Sequence, residues 1–147
     1  MNTLIFRDRL LACLFMAHVF FTTGALAQTN VSPLSYKTVD QWNIGSAGFG
    51  KVVVLNKPNP TEQELRVLAE KLKQDTKNDK ITFIFIYDDE RAARNRRAAT
   101  SETLTKAEMQ HYYRHQVAQY LRNANSGVHK LVIYPKGLSG PMIEVGY

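Results

Sequence analysis

The chain has 147 residues, with 19 Lys and Arg against 13 Asp and Glu and a formal net charge of +6. That length suits one domain with room for a core, and so modest a basic excess favours anionic partners only weakly. The single cysteine excludes a disulfide framework within the chain.

The first residues read as a targeting signal. Arg7 and Arg9 give a positive start, residues 10–21 are apolar apart from His18, and Ala25-Leu26-Ala27 is a small-x-small cleavage pattern. The apolar run is too short to span a bilayer, which takes about 20 residues. A lipid anchor would need a cysteine just after the cut, where Gln28 stands. The expectation is a bacterial-type signal peptide over residues 1–27, cleaved after Ala27, and a periplasmic or secreted protein that is not transmembrane after cleavage. Cys13 leaves with the signal, so the exported chain offers no thiolate ligand or nucleophile. Residues 28–34, with Pro33, read as a flexible leader, and residues 35–147 as a single α/β domain.

Residues 36–44 alternate imperfectly and predict an edge strand. Residues 45–50 are a glycine-rich turn, and Lys51 to Leu55 predicts a second strand, so the two form a hairpin. Gly45, Gly50 and Lys51 satisfy part of a phosphate-binding loop. Val52 stands where that motif needs a hydroxyl, and a strand follows where it needs a helix, so no nucleotide is expected. Pro60 and the Thr61/Glu64 capping box open a helix whose stripe is Leu65, Leu68, Ala69 and Leu72.

Residues 81–87, ITFIFIY, are apolar on both alternating sets and predict a central buried strand, with Phe83 and Phe85 in the core. The Arg- and Ala-rich residues 90–100 predict a short helix. Thr105 and Glu108 form a second capping box, opening a helix over residues 106–124 with Met109, Tyr113, Val117, Tyr120 and Ala124 facing the core. Residues 130–134 and 142–145 predict two closing strands.

The fold class expected is α+β (or α/β), a single small domain with an approximately five-stranded mixed sheet in the order β-β-α-β-α-α-β-β. Two terminal hairpins would make the crossovers travel one way and put the main helices mostly on one face. The opposite face would then be apolar and uncovered, which points to a protein partner or a homo-oligomer through it. The Arg/Ala segment makes a poor lid, since its arginines recur too often for a wide apolar stripe.

Asp88, Asp89 and Glu90 stand at the carboxyl end of the central strand, where open α/β sheets place ligands. Adjacent carboxylates there could hold a hard cation or serve as acid and base; the simpler role is to cap the following helix. His111 and His115 share one helix face and could contribute to a zinc site, but no Glu completes an H-E-x-x-H motif and a third ligand is needed. Arg91, Arg94, Arg96 and Arg97 form the densest basic patch, able to bind phosphate or anionic lipid. Without interleaved aromatics it does not suggest base stacking, and ion pairs to the preceding acids are its plainer role. No G-x-S-x-G elbow is present. The chain is therefore expected to be an exported, non-catalytic binding or accessory module without a cofactor. The alternatives are a metal-assisted phosphoester hydrolase using Asp88 and Asp89, and an anion-binding surface module taking nucleic acid or anionic lipid.

Overall fold

The computed structural model describes residue 32 and residues 34–147. The expected signal peptide and cleavage site, and most of the expected leader, lie outside the described residues; Leu34, the last residue of that leader, is buried in the core. The elements are β1 (Tyr36–Ile44), β2 (Gly48–Leu55), α1 (Glu62–Asp75), β3 (Ile81–Tyr87), α2 (Glu90–Arg94), α3 (Arg96–Thr100), α4 (Lys106–His115), β4 (Gln116–Asn123), β5 (Val128–Ile133) and β6 (Ile143–Gly146). They build a small single-sheet α+β fold, a 6-stranded mixed sheet in the order β1-β2-β3-β4-β5-β6. Only β2 and β3 run parallel, joined by α1; every other neighbouring pair is antiparallel.

The local signals act as read. Thr61 and Thr105 cap α1 and α4, each in a reciprocal capping box with the Glu three residues on. Residues 45–47 turn the β1–β2 hairpin, and Lys51 sits in β2 with no helix behind it.

Residues 90–100 split at Asn95 into α2 and α3 rather than forming one helix, and one element differs in kind. The helix over residues 106–124 stops at His115, and residues 116–123 form β4, paired with β3 from Ile81↔Asn123 to Tyr87↔Gln116. The bulge between Ile86 and Tyr87 gives Val117 no partner on β3 and turns the strand into register. The helical spacing of Val117, Tyr120 and Ala124 is overridden because a strand here completes the ladder of β3, whose backbone groups would otherwise face no partner. Tyr113, expected inside, is 38% exposed, and Tyr112 is the residue that packs inward.

That extra strand also corrects the expected layering. The main helices do not share a face. α1 covers one side with Leu65, Leu68, Ala69 and Leu72 against Val53, Leu55, Ile84, Ile86, Ala118 and Tyr120. α2 and α4 lie on the other, with Ala92, Ala93 and Tyr112 against Val52, Val54 and Tyr87. The same-face expectation needed two crossovers between parallel strands. Because β4 is antiparallel to β3, the connection carrying α2, α3 and α4 leaves and returns at one end of the sheet, and nothing ties it to the side of α1.

The Arg/Ala segment is thus a working lid. Its short turns place Ala92 and Ala93 flat on Tyr87, while Arg91, Arg94 and Arg97 project away from the sheet or along its rim and Arg96 lies over the face. The lid is partial. An excursion confined to one end covers only that end, and Ile81 and Phe83, further along β3 on the same face, stay half-buried. Phe85 is half-buried too; the deep core of β3 is Thr82, Ile84, Ile86 and Tyr87.

Candidate functional site

β3 ends in two carboxylates, and α4 brings its two histidines to them. The His115 Nδ1 lies 2.8 Å from Asp88 Oδ1, and the His111 Nε2 lies 2.9 Å from Asp89 Oδ1. The imidazole rings stand 4.5 Å apart, one helical turn along the same face. An ionised carboxylate only accepts, so each bond is an imidazole N–H donating to an Asp oxygen. The other ring nitrogen of each histidine is left free of these bonds.

The two carboxylates differ. Asp88 is nearly buried, its side chain 4% exposed, and both oxygens are engaged: Oδ1 by His115, Oδ2 by the Asn59 N–H at 2.8 Å. Asp88 therefore ties the loop before α1 to the end of α4. Asp89 is the N-cap of α2, accepting from the Ala92 N–H at 2.8 Å. Partial burial pushes its carboxyl up, but the Ala92 amide and His111 outweigh that and hold it below the usual carboxylate range. Glu90 turns away to Lys37 and Arg94, which keep its carboxyl low. Of the candidate ligands, then, Asp88, Asp89, His111 and His115 come together as two separate pairs, and Glu90 does not join them. Among the described residues no group of three or more His, Cys, Asp or Glu is placed to hold a metal ion.

The arginine patch is largely neutralised. Arg94 pairs with Glu90, Arg97 with Asp40 on β1 at 2.7 Å, and Arg91 lies 3.7 Å from Glu108. Arg96 alone of the four has no acid partner among the described residues. Its guanidinium rests on the rings of Trp42 and Phe85, 4.4 and 4.2 Å from their centroids. The chain sequence hides this group, because Trp42 and Phe85 come from other strands.

Beyond Arg96 the sheet is bare. Ladder partners set two rows across this face, Trp42–Gly50–Phe83–Leu121 and Ile44–Gly48–Ile81–Asn123–Val128. Trp42, Ile44, Ile81, Phe83 and Leu121 are half-buried, and Val128 is 40% exposed. The Trp42 ring lies across Gly50, where a Cβ would come within 2.0 Å of it, so the indole spreads flat on the sheet. Sequence reading missed Leu121 and Val128 on this surface. Reading residues 116–123 as a strand would have exposed Leu121 by its alternation with Tyr120.

No helix among the described residues is long and apolar enough to cross a membrane. Comparison of the chain with protein-family models, with curated proteins and with solved structures finds no match in any of the three.

Proposed function

We infer that this protein is an exported, non-catalytic binding module that docks a protein partner on the bare apolar half of its sheet. One observation carries the reading: Trp42, Ile44, Ile81, Phe83 and Leu121 form an apolar strip, with Val128 beyond Asn123 at its edge, on a face whose other half is covered by α2 and α4. Contiguous apolar surface of this kind marks an interaction site more often than scattered exposed side chains do. Arg96 borders the strip as a cation without an acid partner, so an apolar partner surface carrying a carboxylate fits it best. Catalysis has less support. The carboxylates at the end of β3 are engaged in capping α2 and in holding the loop before α1 and both histidines. The anion-surface reading is reduced to Arg96, the other arginines of the patch being paired.

The test is site-specific photo-crosslinking in the producing cells. A photoreactive residue at Phe83 or Leu121 should give a discrete adduct, and one at exposed Lys77 should not. An adduct of twice the chain's mass would identify the partner as a second copy. No adduct from Phe83 or Leu121 above the Lys77 background rejects the docking face.

A further inference from the structure

A concave surface lies on the α1 side of the sheet, at the carboxyl end of β3 and away from the bare strip. It is a cleft of about 400 Å3 between the start of α1 and the turn that follows β5. That volume falls in the range of small-molecule sites, roughly 300–1,000 Å3. Its floor is apolar: Leu65, Val117, Ile133 and Ile143. Its rim carries two exposed cations, Arg114 and Lys136, from different elements.

The two cations are fixed relative to each other by backbone. The Leu138 N–H donates to the Tyr113 carbonyl at 2.8 Å, clamping the turn after β5 onto the last turn of α4. Gly137, at φ +72°, makes the approach possible, since a Cβ there would lie 2.3 Å from the Tyr113 carbonyl oxygen. Lys136 is thereby held next to the segment that carries Arg114.

Neither cation is in an ion pair among the described residues. The acids that line the same cleft are engaged elsewhere: Asp88 by His115 and the Asn59 amide, Glu62 by Arg66. A site with an apolar floor and an unmatched pair of cations at its mouth selects a ligand of matching polarity.

The geometry points to a binding site for a small amphiphile with one anionic headgroup, a carboxylate or a phosphate monoester, and a short hydrocarbon tail. The headgroup is bridged by the Arg114 guanidinium and the Lys136 ammonium, the tail lying on Leu65, Val117, Ile133 and Ile143. The site is independent of the docking strip, which lies on the opposite face.

Calorimetric titration of the purified protein with decanoate, decyl phosphate and uncharged decanol tests this. One of the two anions, or both, should bind at one site per chain, and decanol should bind at least about tenfold more weakly. The comparison of decanoate with decyl phosphate assigns the headgroup. Arg114→Ala and Lys136→Ala should each weaken the anion about tenfold, with unfolding midpoints unchanged because both side chains are exposed. Lack of saturable binding by either anion up to about millimolar concentration overturns the proposal. So does decanol binding as tightly as the anions, or unchanged affinity in the double variant.

Discussion

Ile86 and Phe83 stand three residues apart on β3 and report opposite environments. Ile86 is fully buried between β2, β4 and α1, whereas Phe83 faces the bare half of the sheet and is only half-buried. Truncating a buried Ile removes its transfer energy and leaves a cavity, so Ile86→Ala should cost about 2–5 kcal/mol. Phe83→Ala should cost about 1 kcal/mol despite the larger side chain. Urea unfolding of the two variants measures this, and a larger loss at Phe83 would place the core on the wrong face. Carboxylates supply the other prediction at this scale. The Lys57 ammonium, then the Thr61 amide, hold the Glu64 carboxyl down to about 2 from an ordinary 4.5. A carboxylate lowered on folding stabilises above its unfolded pKa and loses that contribution as pH falls through its folded pKa. Stability should therefore decline between about pH 4.5 and 2, where Asp89 adds to the same trend. Glu64→Gln should make the slope of urea midpoint against pH shallower in that window and leave it unaltered near neutrality.

At the scale of elements, the lid over Tyr87 works because its contact residues are small. Ala92 is fully buried against Val54 and Tyr87, and α2 lies close to the sheet for that reason. Ala92→Leu should overpack this contact and cost about 1–3 kcal/mol, while Ala107→Leu on the exposed face of α4 should change stability by under about 0.5 kcal/mol. Thermal or urea unfolding of both decides it; equal effects would mean the lid does not bear on the sheet. The two Asp–His bonds then hold α4 to the β3–α2 junction, so lid and helix are joined as one layer.

For the whole molecule, asymmetry follows from connectivity. α1 must travel the length of the sheet to join parallel β2 and β3, so it covers its face. The α2–α4 excursion joins antiparallel neighbours and can stay at one end. The result is one covered face and one half-bare face, with the bare apolar strip and the cleft beside Arg114 and Lys136 at different ends and on different sides of the same sheet.

The sequence by itself determined what depends on near neighbours along the chain. Thr61 with Glu64 and Thr105 with Glu108 are contacts over three residues, legible as capping signals before any fold is known, and a cap from Asp88 or Asp89 was legible too, the structure choosing Asp89. The β1–β2 turn, β3 and the apolar runs of β5 and β6 are local in the same sense. The candidate residues Asp88, Asp89, His111 and His115 could be picked out by type and spacing, but not their pairing, which spans more than twenty residues and needs α4 folded back on β3. Residues 116–123 are the clearest case. Their apolar positions, Val117, Ala118, Tyr120 and Leu121, follow helical spacing rather than strict alternation, and the ladder with β3 overrode it in favour of the strand. That choice, made by backbone groups distant in sequence, also decided which face each helix covers and left Trp42, Phe83 and Leu121 open to solvent.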